Sequence, residues 1–249
     1  MPGSALGDRR SAFGGRRSGF VVPVGAKPAA SYILSMSTEP IDGGEDVPSR
    51  IDLREVGDAE AWVREADRKR PWRDQLRSAI AEIVRTADPP VRRVLELGAG
   101  PGLLAERVLR DGSVESYTLF DFSPAMIAMS RERIGGHPAA RFVLGDFRQP
   151  DWTASVGEPF DAIVAMQAVH EIRHKRHVPG LYRQVLGALR PAGVLVVCDH
   201  VPPDDSVRMT SLHSTEAEQH AALSSAGLVG VATRLLLRGL YVCVGHRER

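Results

Sequence analysis

This chain is poor in cysteine, in long apolar stretches and in net charge, and each shortage narrows the choice of function. Its two cysteines, Cys198 and Cys243, lie in apolar strand-like segments, which predicts buried thiols and favours a reducing cytoplasm. No apolar run reaches the roughly 18 residues that cross a bilayer, so we expect no membrane partner. A formal net charge of +1 gives no bulk attraction to nucleic acid.

Lysine is nearly absent as well, since it supplies only three of the chain's 32 basic residues and arginine supplies the rest. We interpret this bias as the codon usage of a GC-rich genome. The arginine-rich stretch 64–77 could face an anionic acceptor or a nucleic acid. Because Glu65, Asp67 and Asp74 interrupt it, we favour a solvated helix face.

Residues 1–35 carry glycine, serine, proline and arginine with little periodicity, and they predict no folded structure. Their paired arginines resemble an export or transit signal only faintly, because the apolar segment that follows is short and broken by proline. We favour the hypothesis that Met36 is the natural start and that 1–35 is a mis-assigned extension. A disordered tail is the alternative.

Residues 36–90 are predicted to form a linker followed by a helical cap. Helical spacing of apolar residues runs from Ala59 to Ala66 and again from Trp72 to Ile83, which predicts two amphipathic helices. A lid over a substrate site and packing against a sheet edge explain these helices equally well.

Residues 91–249 alternate between apolar strands and helices. Strands are expected at 94–97, 117–121, 141–146, 160–166, 194–198, 229–237 and 240–245. Near-continuous apolar strands separated by helices indicate a parallel sheet that is covered on both faces. Only Arg238 and Gly239 separate the last two strands, which predicts a hairpin and hence an antiparallel strand. The expected fold is α/β, a Rossmann-like doubly wound seven-stranded mixed sheet with a C-terminal antiparallel hairpin and a helical N-terminal cap.

The first strand ends in three closely spaced glycines, Gly98, Gly100 and Gly102, and a helical pattern follows at once. Glycine is needed where backbone turns sharply or touches a ligand, because a Cβ would collide there. The G-x-G-x-G spacing differs from the G-x-G-x-x-G of dinucleotide-binding domains, so a nicotinamide-dependent oxidoreductase is disfavoured.

With Glu96 two residues before the first glycine, the motif resembles that of class I S-adenosylmethionine-dependent methyltransferases, and the resemblance extends over about 91–247. It implies S-adenosylmethionine as the cofactor and methyl transfer to a small-molecule acceptor by in-line displacement. It also implies that Glu96 helps to hold the amino group of the cofactor, and that the backbone of Gly98, Ala99, Gly100 and Gly102 lies against its methionine portion.

Acids also end the second and third strands, where the carboxyl ends of parallel strands form a crevice. The resemblance implies that Asp121 accepts hydrogen bonds from the ribose and that Asp146 accepts one from the adenine amino group. The remaining residues expected to bind the cofactor are two aromatic rings that could flank the base, a residue beside the ribose and one after the fourth strand: Phe122, Phe147, Met126 and Gln167.

The segment after the fourth strand carries the candidate general base. A hydroxyl acceptor needs a base, and imidazole titrates near neutral pH. His170 is our first candidate, and His200, at the end of the fifth strand, is the second.

The same segment contains an H-E-x-x-H string, from His170 and Glu171 to His174, which is the motif of zinc-dependent hydrolases. The string directly follows a buried strand, and the longer metzincin pattern fails because His177 and Gly180 stand where glycine and histidine are required. Zinc hydrolysis therefore remains the lesser alternative, beside a non-catalytic S-adenosylmethionine-binding protein, and we expect no metal.

Overall fold

The computed structural model describes residues 44–110, 113–157 and 159–249, so the predictions for 1–35 and for Met36 lie outside the described residues. Within these ranges the strands form one seven-stranded sheet in the order β3-β2-β1-β4-β5-β7-β6. The strands are β1 (Arg93–Leu97), β2 (Ser116–Asp121), β3 (Ala140–Leu144), β4 (Phe160–Met166), β5 (Leu189–His200), β6 (Val229–Leu237) and β7 (Leu240–His246).

The first five strands are parallel, and β7 runs antiparallel to both β5 and β6. The predicted mixed sheet and its terminal hairpin are therefore confirmed. Arg238 and Gly239 make the turn with φ of +48° and +76°, as a two-residue hairpin requires. Two boundaries differ from the expectation: β3 ends at Leu144 rather than at 146, and β5 extends over twelve residues.

The helices in the described ranges are α1 (Val56–Lys69), α2 (Arg73–Thr86), α3 (Leu103–Leu109), α4 (Pro124–Ile134), α5 (Trp152–Val156), α6 (Val178–Ala188), α7 (Val207–Leu212) and α8 (Glu216–Ser225). The helices α4 and α8 begin at residues whose side chains cap them. Ser123 Oγ accepts from the backbone N–H of Met126 and starts α4. A capping box of Thr215 and Glu218 starts α8. None of these helices is both long and apolar enough to cross a membrane.

Apolar side chains cover both faces of the sheet. Val94 belongs to the core on the face covered by α2 and α3, whereas Leu95 belongs to the core on the face covered by α6 and α8. This alternation along one strand is what a sheet covered on both faces requires. The helix α2 thus packs on the sheet, while Ala59 of α1 packs on Met126 of α4.

Strand order places a crevice at the carboxyl end of the sheet. The chain leaves β1 toward β2 on one side and leaves β4 toward β5 on the other, and the gap at such a switch point is where α/β sheets bind ligands. Gly98 lies in this gap with φ of +66°, and a Cβ there would lie 2.5 Å from the Cβ of Ala168, the second residue after β4. Only glycine allows this close approach.

Candidate functional site

A cleft, here called the central cleft, opens at the carboxyl ends of β1, β2 and β4. It brings together most of the residues that the sequence predicted: Glu96, Gly98, Ala99, Gly100, Asp121, Phe122, Met126, Phe147, Gln167, His170 and His200. Trp62 of α1 also lines it. Two of the predicted residues, Gly102 and Asp146, do not line the central cleft. Gly102, with φ of +80°, instead precedes α3 and packs against Ser130, and Asp146 lines a neighbouring cavity.

Asp121 is held at the tip of β2 by backbone donors. Gly100 N–H donates to its Oδ2 and Ser123 N–H to its Oδ1, each at 2.8 Å. Burial raises the pKa of Asp121 to about 6, and these two hydrogen bonds act against that rise. Each carboxylate oxygen keeps capacity for a second donor, so the pair of oxygens suits a vicinal diol.

Glu96 is the most deeply buried acid of the central cleft, with 2% of its surface exposed. Tyr117 Oη donates to its Oε2 at 2.9 Å. Burial raises the pKa of Glu96 to about 8, although the tyrosine hydrogen bond partly opposes the shift. No described residue gives this carboxyl a positive partner, and an ammonium group brought into the cleft would supply one.

Gln167 lies between the central cleft and β5, with φ of +54°. Its Nε2 is 2.7 Å from Nε2 of His200, and its Oε1 is buried without a hydrogen-bond partner among the described residues. Buried polar atoms are almost always satisfied in native proteins. The orphaned oxygen therefore indicates a missing donor at this point of the cleft wall.

Asp146 lies beside Phe122 and Phe147, which line both the central cleft and the neighbouring cavity that contains Asp146. Arg148 Nη2 contacts Asp146 Oδ2 at 2.5 Å, and Arg54 approaches the same oxygen at 4.0 Å while covering the Phe122 ring. Burial favours the protonated acid, but Arg148 outweighs it and lowers the pKa of Asp146. Its role toward adenine stays a prediction.

The two candidate bases have opposite charge states. His170 Nδ1 donates to Asp199 Oδ1 at 2.7 Å, and His170 Nε2 lies 3.4 Å from Glu171 Oε1. Burial alone would lower the pKa of His170, but these two carboxylates raise it to about 10. Burial lowers the pKa of His200 to about 4, and the charge of His170 adds to that effect. At neutral pH, His170 is an imidazolium and His200 is a neutral imidazole.

Asp199 was missed as a site residue although it is the second-last residue of β5, close to the crevice like Asp121 at the end of β2. It is 3% exposed and accepts hydrogen bonds from the backbone N–H groups of His170 and His200 at 3.0 and 2.8 Å. Burial would raise the pKa of Asp199, but the charge of His170 outweighs it and lowers the pKa. The rule that acids mark strand ends would have found it.

The H-E-x-x-H string does not form the helix that a zinc protease needs. A 3-10 turn ends at Ile172, Arg173 has φ of +73°, and His174 is extended. His174 therefore does not share a helix face with His170. Another trio, His170, Asp199 and His213, offers three ligand atoms within 4.8 Å, but the ion pair of the first two already occupies two of those atoms.

Another cavity, distinct from the one beside Asp146 and here called the arginine cavity, also adjoins the central cleft. Five arginines from distant parts of the chain line it: Arg50, Arg70, Arg173, Arg208 and Arg238. It shares His170, Glu171 and His200 with the central cleft. Apart from Arg70, which lies in the stretch 64–77, the sequence offered no signal for these residues, because only the fold brings them together.

The fold and the central cleft together define a class of protein. Residues 94–193 match the family described as a methyltransferase domain. The chain therefore contains a class I S-adenosylmethionine-dependent methyltransferase domain, and S-adenosylmethionine is the cofactor of that class. Neither the zinc hydrolase nor the nicotinamide alternative is favoured by these findings.

Individual relatives agree with this assignment. Trans-aconitate 2-methyltransferase of Rhodopseudomonas palustris is 31% identical over 175 residues, which is 69% of this chain and 61% of the relative. Acetylserotonin O-methyltransferase of Mus musculus is 31% identical over 170 residues, which is 60% of this chain and 41% of the relative. The chain thus spans less than two thirds of the length of these curated relatives.

Among solved structures, human N-acetylserotonin methyltransferase in complex with S-adenosylmethionine has the same fold. It aligns with a TM-score of 0.62 at 16% sequence identity, covering 79% of this chain and 58% of that chain.

Proposed function

We propose that this protein transfers a methyl group from S-adenosylmethionine to a small-molecule acceptor. The observation that carries the proposal is the central cleft, where a glycine turn, the two acceptor oxygens of Asp121 and the buried acid Glu96, which has no cationic partner among the described residues, meet beside the arginine cavity. The relatives' printed activities on small molecules support it.

The residues present fit the cofactor. Glu96 would hold the ammonium group, Asp121 the ribose hydroxyls, and the backbone of Gly98 and Gly100 the methionine chain. The orphaned oxygen of Gln167 offers one further acceptor. When bound, the cofactor supplies a methyl group on a positively charged sulfur, and a nucleophile must approach that carbon in line.

His170 and His200, which line both the central cleft and the arginine cavity, would act on the acceptor. Because both ring nitrogens of His170 face carboxylates and the ring already carries its proton, His170 is poorly placed to take a proton from the acceptor. His200 is neutral and lines both cavities, so it is the better candidate to accept a proton from a hydroxyl acceptor, once its Nε2 gives up the hydrogen bond from Gln167. An acceptor that is already ionised needs no base.

We also propose that α1 acts as a lid over the central cleft, with 36–90 as a linker and helical cap and 91–249 as the S-adenosylmethionine-binding methyltransferase domain. Trp62 supports this assignment because it lines the cleft from α1, and Arg73 of α2 lies 5.3 Å from its ring. The fluorescence of Trp62, isolated by replacing Trp72 and Trp152 with phenylalanine, should change when S-adenosylhomocysteine binds. An unchanged spectrum at saturation contradicts the lid.

A cytoplasmic location and a small-molecule partner, rather than nucleic acid or membrane, complete the proposal. The buried free thiols of Cys198 and Cys243 support a reducing compartment. Fractionation of cells that express the native gene tests it, and recovery in the membrane or exported fraction contradicts it.

The decisive experiment is calorimetric titration of the full chain with S-adenosylhomocysteine, with NADH titrated in parallel. We expect one-site binding of S-adenosylhomocysteine alone. Asp121→Asn should weaken that binding at least tenfold, because a carboxylate that accepts two hydroxyl protons loses half of its acceptor capacity. The exposed Asp151, which lines neither cavity, provides the matched control Asp151→Asn. Binding of NADH alone would overturn the assignment.

A further inference from the structure

The arginine cavity carries positive charge without matching acids. Glu171 is its one lining carboxylate among the described residues, and it already contacts Arg173 at 3.0 Å and His170 at 3.4 Å. Several arginines elsewhere among the described residues have acidic partners, as Arg77 has Asp67 at 2.8 Å. The net charge of +1 therefore hides a local excess of cations at this cavity.

Two of these arginines, Arg50 and Arg173, repel a third, Arg208. Arg208 of α7 donates to the carbonyl of Pro48 at 2.9 Å, but its Nε is buried without a hydrogen-bond partner among the described residues. Burial lowers the pKa of Arg208, and the charges of Arg50 and Arg173 lower it further. Like charges held together in a partly dry site are stabilised when an anion lies between them.

A second unsatisfied group faces the same space. His213 Nδ1 is buried with no partner in the described part of the chain, and its ring lies 5.3 Å from that of His170 and 5.4 Å from that of His200. An unpaired nitrogen and an unpaired guanidinium N–H at one cavity indicate a polar ligand with several oxygen atoms.

The cavity is also placed where an acceptor must be. Its wall of His170, Glu171 and His200 is shared with the central cleft, so a molecule bound among the arginines reaches the place where the methyl group would be presented. An anion held there would therefore be the substrate and not a distant effector.

We propose that the arginine cavity binds the acceptor, and that the acceptor is a small polycarboxylate methylated on a carboxylate oxygen; this inference rests on the proposed methyltransferase function. One carboxylate is the nucleophile, and the others are held by Arg50, Arg173 and Arg208. Planar, two-pronged recognition of carboxylates is the geometry that guanidinium groups favour.

The chemistry balances without a base. A lone pair on the carboxylate oxygen forms the bond to the methyl carbon while the carbon–sulfur bond breaks, and its electron pair stays on sulfur. The sulfonium loses its positive charge, the carboxylate loses its negative charge, and no proton moves. This agrees with a site in which His170 already carries its proton and His200 is a weak base.

The first experiment measures binding to the full chain saturated with S-adenosylhomocysteine. Propane-1,2,3-tricarboxylate is titrated against its uncharged triamide, which has the same skeleton. We expect the tricarboxylate to bind and the triamide not to. The double variant Arg50→Gln/Arg208→Gln should weaken tricarboxylate binding at least tenfold, whereas Arg183→Gln, an exposed arginine of α6 outside both cavities, should not change it.

Arg50→Gln alone keeps the test valid if the double variant does not fold, since Arg50 is exposed. Equal tricarboxylate affinity in the wild type and in the folded variant overturns the proposal. Stronger binding of a short oligonucleotide than of any small carboxylate overturns it as well. Loss of S-adenosylhomocysteine binding would instead refute the methyltransferase function, so the two failures are distinguishable.

The second experiment identifies the atom that is methylated. Incubation with S-adenosylmethionine and a mixture of small di- and tricarboxylates should give a product heavier by one methylene unit. Mild hydroxide should convert that product back to the starting acid, because a methyl ester is saponified. A methylated product that resists hydroxide overturns the carboxylate assignment.

Discussion

Binding of the cofactor should release a proton from Glu96. Burial raises the pKa of this carboxyl to about 8 in the unliganded protein. At pH 7 about nine molecules in ten therefore hold the proton, since one pH unit corresponds to a tenfold ratio. An ammonium group placed beside the carboxyl favours the ionised form, and a pKa that falls to about 5 or below makes binding at pH 7 release ~0.9 proton.

The proton count is measurable by calorimetry with S-adenosylhomocysteine in phosphate and in Tris at pH 7. The observed heat should change with the ionisation heat of the buffer, with a slope near the predicted ~0.9 proton released. The affinity should rise by up to about tenfold per pH unit between pH 6 and pH 8, because the proton must leave for the ligand to bind.

Two variants of this pair test the reasoning. Glu96→Gln should bind more weakly above pH 8 and should show no proton release. Tyr117→Phe removes the hydrogen bond that favours the carboxylate, so it should keep the release and lower the affinity at pH 7. A wild-type slope of zero, or the same slope in Glu96→Gln, would refute the assignment of the proton to Glu96.

Three further predictions follow from single contacts. Gly98→Ala places a Cβ 2.5 Å from that of Ala168, so it should lower the free energy of unfolding by about 1–3 kcal/mol and abolish S-adenosylhomocysteine binding; unchanged thermal unfolding would contradict this. His170→Ala leaves Asp199 unpaired, and we expect slow turnover with cofactor affinity retained, whereas wild-type turnover would remove His170 from the mechanism. Thr215→Ala breaks the capping box of α8 and should cost about 1 kcal/mol in urea denaturation, with cofactor affinity unchanged.

Much of the fold could be predicted because its signals are local. Apolar runs marked the strands, and the capping residues of α4 and α8 stand where the chain turns into helix. Even the antiparallel hairpin followed from two residues, Arg238 and Gly239. The boundaries of β5 were harder, since pairing with both β4 and β7 extends a strand beyond its apolar run.

The same distinction between local signals and long-range contacts applies to the candidate site. The residues proposed to bind the cofactor lie at or next to strand ends, so Asp121 could be predicted from its position and Glu96 from its place in the glycine motif. The arginine cavity could not, because Arg50 and Arg208 are separated by more than half of the chain and meet only through the fold. The charge state of His170 also depended on Asp199, a neighbour that no spacing rule connects with it.

The contact between Gly98 and Ala168 has a mechanical consequence. It joins the turn after β1 to the segment that carries Gln167 and His170, and His170 is part of the boundary that the two cavities share. A ligand that fixes this boundary from one side prepares it for a ligand on the other. Thermodynamic reciprocity then requires equal factors: however much S-adenosylhomocysteine tightens acceptor binding, the acceptor tightens S-adenosylhomocysteine binding by the same amount.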